Sequence, residues 1–352
     1  MELRFGSVVF NLGVSEAISR SVLLERSGFD SVWVTDVLFE GGPELVLPDI
    51  FPLMTAIGLN TKSVVVGSAV IDALSRHPAK IATATATIDN MLNGRTIFGI
   101  GGGETINHEP FGIPTTEVYA KLRETVQILK LLWTTDHMNP ASFGGKYYRL
   151  RDAYIKIKPK TKPHPRIYLP AFGPRMLAMT GELADGWLPF NHTADSYEAT
   201  LNGPIRAAAE KVGRSLSVFD PANIFIASVS REPEKAAEAA KKEAKNWLVW
   251  SPDILRMIVP QLKHTGKRQP FIKSRAREDV EAQSRLAQEI PDEVVLKTAV
   301  WGTPENCIQQ LEGFIKSGLR HPILFFVPTP SDSVENMIQL FGSKVVRYFK
   351  SK

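Results

Sequence analysis

Short β-branched runs alternate with longer amphipathic stretches along almost the whole chain, with no switch to hairpins. This alternation constrains the fold most strongly, because repeated strand–helix units require parallel strands joined by right-handed crossovers. Strands are expected at Leu3–Phe10, Ser31–Thr35, Ser63–Gly67, Thr96–Ile100, Arg166–Leu169, Gly186–Leu188, Ala222–Ser228 and Pro322–Val327. Between them, helical spacing, capping residues and N-terminal prolines mark Ser15–Arg26, Pro48–Leu59, Pro78–Leu92, Pro114–Trp133 and Pro174–Leu183. The same signals mark Ala194–Val212, Pro233–Trp250, Thr303–Ser317 and Ser331–Phe349, with Ser15 read as the N-cap of the first helix. Eight such units close into a (β/α)8 TIM barrel. A doubly wound open sheet would need fewer strands or a domain boundary, and no linker is visible. The expectation is one barrel domain spanning 1–352, with insertions at about 139–165 and 251–295.

Composition agrees with a large folded core: 352 residues, 43% hydrophobic and 22% charged, exclude disordered, collagen-like and coiled-coil classes. No apolar run approaches the roughly 18–20 residues of a membrane span, and the N-terminus lacks a signal peptide's basic start and cleavage site. One cysteine, Cys307, cannot form an internal disulfide, so the expected compartment is the cytoplasm. The net charge is +5, yet the segment Ile254–Arg277 alone carries seven Lys/Arg and no acid, leaving −2 elsewhere. Such a run is either a solvated face or an electrostatic rim for anions. Nucleic acid is not expected as a partner, since Phe271 is the run's only aromatic residue and no nucleic-acid motif accompanies it.

Active sites of such barrels lie at the C-terminal ends of the strands, so the residues just past each strand are the ones to weigh. Asp36 follows strand two, where an acid either bonds a ligand's polar edge or caps a loop. Ser68, Ala69 and Val70 follow strand three, and Gly101, Gly102, Gly103, Glu104 and Asn107 follow strand four. The glycine run is not a dinucleotide fingerprint, because Glu104 takes the third glycine's place and no helix is expected to start immediately. Bare backbone there could meet a ligand while Glu104 exchanges a proton; the alternative is a flexible turn with a solvated acid. Ala171, Phe172, Gly173, Pro174 and Arg175 lead from strand five into a helix. That arrangement suits a phosphate but also describes a plain strand-to-helix turn. The seven histidines show no metal-binding spacing, so no metal is expected. His77 is placed to cap the helix after it, and Cys307 to pack.

Several segments together carry a resemblance: Gly99-x-Gly-x-Gly-Glu104-x-x-Asn107 followed by Pro110-x-Gly112, Arg76-His77-Pro78, Ala184-Asp185-Gly186-Trp187 and Gly302-Thr303-Pro304-Glu305. The chain resembles the bacterial-luciferase-like family of flavin and deazaflavin oxidoreductases. Within it, the chain is most similar to the branch using coenzyme F420, which includes methylenetetrahydromethanopterin reductases, a sugar-phosphate dehydrogenase and secondary-alcohol dehydrogenases. The resemblance implies a TIM barrel with the tricyclic cofactor at its C-terminal face and a homodimer. It implies hydride transfer between the deazaflavin C5 and a small organic substrate, an anionic one being an option. By the same resemblance, Asp36 lies close to the ring, and Ser68–Val70 form a bulge with a non-prolyl cis peptide behind it. Glu104 would carry a proton or charge, with Asn107 in its loop, and Ala171–Arg175 would hold the cofactor phosphate.

One departure matters. Members that oxidise alcohols or sugar phosphates commonly carry His directly after the Asp of strand two, and here that position is Val37. Valine accepts no proton, which favours the reducing direction, where the cofactor carries the chemistry. The alternatives are an FMN-dependent monooxygenase of the same fold, or a non-catalytic flavin- or anion-binding barrel.

Overall fold

The structure is a computed structural model that describes residues 3–38, 45–249, 258, 285 and 287–352, apart from the side chains of 105 and 106. In chain order the strands are β1 (Gly6–Val9), β2 (Ser31–Val34), β3 (Val65–Asp72), β4 (Thr96–Gly101), β5 (Ala141–Gly144) and β6 (Arg149–Ala153). They continue as β7 (Arg166–Leu169), β8 (Gly186–Trp187), β9 (Asp220–Val229), β10 (Val300–Gly302) and β11 (His321–Phe326).

Eight of these strands are hydrogen-bonded in the closed ring β1-β2-β3-β4-β7-β8-β9-β11, every pairing parallel. They are the eight strands expected from the sequence. Gly6 faces Ile323 where β1 meets β11, and Gly186 faces Asp220 where β8 meets β9. Inside the ring Val8, Trp33, Ile97, Tyr168, Leu188 and Ile224 pack as a filled core. A large ring such as Trp33, wholly buried, contributes roughly 2–3 kcal/mol by leaving water. The N-terminal end of the barrel is closed by a polar plug. Buried Asp220 meets Arg4 and the Tyr168 hydroxyl, while His321 Nε2 lies 2.8 Å from Ser31 Oγ.

The differences from expectation have local causes. The first helix runs Val14–Arg26 with Gly13 as N-cap and no side-chain cap, so Ser15 lies in its first turn. The surface excursion at 139–165 contains the antiparallel hairpin β5–β6. Its turn is held from afar, the Glu124 carboxylate accepting from the N–H groups of Lys146, Tyr147 and Tyr148 at 2.7, 3.0 and 2.9 Å. The expected helix Ala194–Val212 is interrupted by a π turn at Leu201–Ile205, where Pro204 cannot donate to an α-helical ladder. The last helix begins at Val334, capped by Ser333 and not by Ser331. Pro114–Trp133 becomes helical only at Val118, and a four-residue helix, Thr105–His108, follows the glycine run after all. A further strand, β10, pairs with β9 outside the ring, preceded by the short helix Asp292–Leu296. The basic run 254–277 lies outside the described residues except Ile258, which packs on the outer core beside β9.

Candidate active site

Two loops meet at the C-terminal ends of β2 and β3. Asp36, past β2, has a nearly buried carboxylate that accepts from the Asp72 N–H at 3.0 Å and is held in a fork by Arg76, whose Nη2 lies 3.1 Å from Oδ1. Arg76 also reaches Asp49 at 2.9 Å and lies over the Phe51 ring. Burial pushes the Asp36 carboxyl above its usual range, against the pull of the Arg76 guanidinium. Both carboxylate oxygens are thus engaged, and Asp36 fastens the β2 loop to the β3 loop. Val37, next to it, lines a shallow cleft with Phe10, Asn11, Thr35, Val46, Leu47 and Pro48.

β3 bulges between Ser68 and Ile71 against β4, and the Ala69–Val70 peptide is cis. The Ser68 hydroxyl donates to the Gly99 carbonyl at 2.9 Å and fixes the start of the bulge. The bulge thrusts Val70 at β4, which explains the glycines opposite. A Cβ on Gly101 would stand 2.5 Å from Val70 Cγ2. At Gly102 it would stand 2.2 Å from Val118 Cγ1, and at Gly103, in the left-handed region, 2.4 Å from the His108 ring. The space beside each glycine is therefore filled by this chain's own side chains.

His108 is buried, and its Nε2 lies 2.6 Å from Asp72 Oδ2. Asp72 Oδ1 also accepts from Leu74 N–H at 2.9 Å. The pair sits under the loop carrying exposed Glu104, and Asn107 Oδ1 accepts from Leu38 N–H at 3.1 Å. Asn107 Nδ2 approaches Glu104 Oε2 at 3.4 Å. The sequence reading had passed over His108, which lacks metal spacing. Its signal was its position in the four-residue helix directly after the glycine run.

Past β7, Ala171 is buried and its carbonyl accepts from Trp187 Nε1 at 2.9 Å. Gly173 caps the helix Pro174–Leu183, with nothing within 4 Å of where its Cβ would stand. Arg175 lies with its guanidinium 4.1 Å over the Tyr119 ring. Phe172 packs edge-on against Phe190 at 4.9 Å. From there an aromatic arc crosses the mouth: Phe190 to Trp247 at 5.5 Å, Trp247 to Phe325 at 5.0 Å, and Phe325 to Phe10 at 6.2 Å. The same cluster includes Ala69 and Val70. This arc was not anticipated, although Phe10, Phe190 and Phe325 each stand at or beyond a strand's C-terminal end.

The structure thus brings Asp36, Ser68–Val70 and the loop of Gly101–Asn107 together, while Ala171–Arg175 form a second group past β7. Such a mouth offers an apolar surface shared by the bulge and the aromatic arc, the exposed Glu104 carboxylate, and an open helix N-terminus. His77 Nδ1 accepts from Ala79 N–H at 3.2 Å and caps its helix. Cys307 is buried. Among the described residues, no group of three or more His, Cys, Asp or Glu could hold a metal ion, and no helix is long and apolar enough to cross a membrane.

A family model described as luciferase-like monooxygenase matches residues 8–321. An F420-dependent glucose-6-phosphate dehydrogenase of Nakamurella multipartita is 29% identical over 98% of this chain and 96% of its own. A 5,10-methylenetetrahydromethanopterin reductase of Archaeoglobus fulgidus is 27% identical over 93% and 94%. Among solved structures, a coenzyme F420 dependent tetrahydromethanopterin reductase from Methanopyrus kandleri has a TM-score of 0.80 at 21% identity, covering 99% of this chain and all of that one. An F420-dependent secondary alcohol dehydrogenase in complex with an F420-acetone adduct has a TM-score of 0.79 at 22% identity, covering 98% and 99%. At these identities the structural likeness speaks for the fold.

Proposed function

This chain belongs to the luciferase-like monooxygenase family, and on that premise we propose that it is an F420-dependent oxidoreductase acting on a small organic molecule, in the reducing direction. The observation that carries this reading is the bulge of β3 between Ser68 and Ile71, whose Ala69 and Val70 share one apolar cluster with Phe10, Phe190, Trp247 and Phe325, a surface against which a flat ring would pack. Relatives named F420-dependent, alignable over nearly the whole chain, support the choice of deazaflavin over FMN. When bound, the deazaflavin supplies a hydride at its C5.

The residues present fit that group. Ser68, Ala69 and Val70 would back the ring, and the loop of Gly101, Gly102, Gly103 and Asn107 would border it. Ala171, Phe172, Gly173, Pro174 and Arg175 would receive a phosphate, the Gly173 backbone being open at a helix N-terminus. Asp36 would hold the ring's surroundings in place through Arg76. Glu104, exposed at the mouth, would hold or deliver a proton at its carboxylate. Val37 in the adjoining cleft offers no base, which supports reduction over alcohol oxidation. A homodimer is also part of this reading. The helix Ile50–Asn60 bears no charged residue, and Leu59 and Met91 are exposed on this and the following helix. Buried, unpaired Cys307 suits a reducing cytoplasm.

The test is to titrate purified protein with reduced F420 and with reduced FMN while following affinity and oxygen uptake. Tight F420 binding without oxygen uptake is expected. FMN-linked oxygen uptake would sink the reading, and binding of neither would leave the barrel a scaffold. Glu104→Gln should keep F420 affinity and lower turnover; unchanged turnover removes Glu104 from the mechanism.

A further inference from the structure

The surface excursion that leads from the helix Val118–Thr134 to β7 carries concentrated positive charge. Residues 146–162 hold seven Lys/Arg and one acid, a net +6 in a chain of net +5. Alternation along this extended segment sorts it into two faces. Tyr148, Leu150, Ala153, Ile155 and Ile157 pack on the core, while Lys146, Arg149, Arg151, Lys156, Lys160 and Lys162 are all exposed. Among the described residues, only Lys146 of these six has a carboxylate within 4 Å, that of Glu117 at 3.6 Å. The lysines of the helix Pro233–Val249 are unlike them, for Lys235, Lys241 and Lys245 pair with Glu232, Glu238 and Asp292. The backbone that displays the six cations is fixed at both ends. Glu124 holds the turn at Lys146, and Asp89 accepts from the Thr161 N–H at 2.8 Å and its hydroxyl at 3.0 Å. Two apolar side chains stand out beside the cations, Met138 at 74% exposed and Tyr154 at 42%. His137 joins them, its ring 6.3 Å from that of Tyr154.

We propose that this face docks the protein onto an anionic lipid surface, its cations against the headgroups and Met138 and Tyr154 at the apolar boundary. Clustered cations repel one another, and an anionic surface relieves that repulsion at all of them together. Tyrosine suits the boundary because its ring is apolar and its hydroxyl stays wet. Four of the six cations are lysines, a residue depleted at protein interfaces, so a specific protein partner fits less well. Single-stranded nucleic acid needs successive stacking platforms, and of the segment's three tyrosines only Tyr154 is exposed. No helix among the described residues is long and apolar enough to cross a membrane, so the contact is peripheral.

Co-sedimentation of the full chain with vesicles tests this. Vesicles of phosphatidylcholine and phosphatidylglycerol in equal parts should carry the protein down, and vesicles of phosphatidylcholine alone should not. Added salt should release it, because the contact is between exposed charges. Arg149→Glu with Arg151→Glu should weaken partitioning about tenfold or more and leave the melting temperature unchanged, both side chains being exposed. Lys235→Glu with Lys241→Glu changes the net charge equally at paired positions and should weaken it far less. Met138→Ser should weaken partitioning without altering its salt dependence. Equal partitioning to both vesicle types, an unaffected arginine double variant, or equal losses from the two double variants overturns the proposal. So does binding of an acidic peptide or an RNA oligonucleotide without binding of the mixed vesicles, which would assign the face to that class. The measurement needs neither cofactor nor substrate, so its outcome stands apart from the F420 assignment.

Discussion

His108 Nε2 lies 2.6 Å from the carboxylate of Asp72, and this buried contact spans 36 residues to tie the bulge of β3 to the loop that bears Glu104. Removing either partner leaves a buried polar group unmet, which costs about 1–3 kcal/mol. His108→Ala should therefore lower the unfolding free energy by that amount, read as a fall in the urea midpoint multiplied by the m-value. It should also weaken F420 binding through a loosened 101–108 loop, read by titration of the folded variant. A stability loss with unchanged F420 affinity would show that the pair supports the fold alone.

Gly101 and Val70 should behave as a coupled pair. Gly101→Ala brings a Cβ to 2.5 Å from Val70 Cγ2, so the single variant should be destabilised by about 1–3 kcal/mol through overpacking. Val70→Ala removes the obstacle, and the double variant should recover part of the loss. A double-mutant cycle by denaturation should give a coupling of about 1 kcal/mol, where independent sites would give none.

Arg76 neutralises a carboxylate that has little access to water. Arg76→Ala leaves Asp36 buried and uncompensated, and the expected loss is about 3 kcal/mol near neutral pH. Lowering the pH protonates Asp36 and removes the stranded charge, so the deficit relative to wild type should shrink in acid. Thermal melts of both proteins across an acidic series measure this; a deficit independent of pH would assign the loss to packing over Phe51.

His192 predicts a pH dependence of stability. Its imidazole is pushed down to about 4 by burial, from an ordinary value near 6.5. Between those values the unfolded chain binds a proton that the native state refuses. Its contribution is complete above about pH 6.5 and is lost as pH falls towards about 4, by up to roughly 3 kcal/mol. His192→Asn should flatten that part of the profile when denaturation midpoints are compared.

The barrel itself was legible in the chain. Each of the eight ring strands is a short apolar run bounded by turn residues, and the following helix announces itself through an N-cap, a proline or helical spacing. His77 and Thr303 were readable for the same reason, since a cap bonds a backbone group two or three residues away. The hairpin β5–β6 was not, because the carboxylate that holds its turn comes from Glu124 on an earlier helix. Pro204 carried a break signal that helical spacing on both sides concealed.

The site divides along the same line. That Asp36, the Ser68–Val70 bulge and the glycine–Glu104 loop come together at the strand ends follows from chain order, because parallel βα units put every such loop on one face. What those residues do to one another was settled only by the tertiary structure. Asp36 is fastened by Arg76, each of Gly101, Gly102 and Gly103 makes room for a neighbour's side chain, and His108 reaches Asp72. The aromatic arc unites Phe10 with Phe325, more than three hundred residues later, because closing the ring sets the first strand beside the last. Local pattern is decided by interactions a few residues apart, which the sequence displays. The walls of the site are decided by which strand ends closure makes adjacent, and that adjacency exists only in three dimensions.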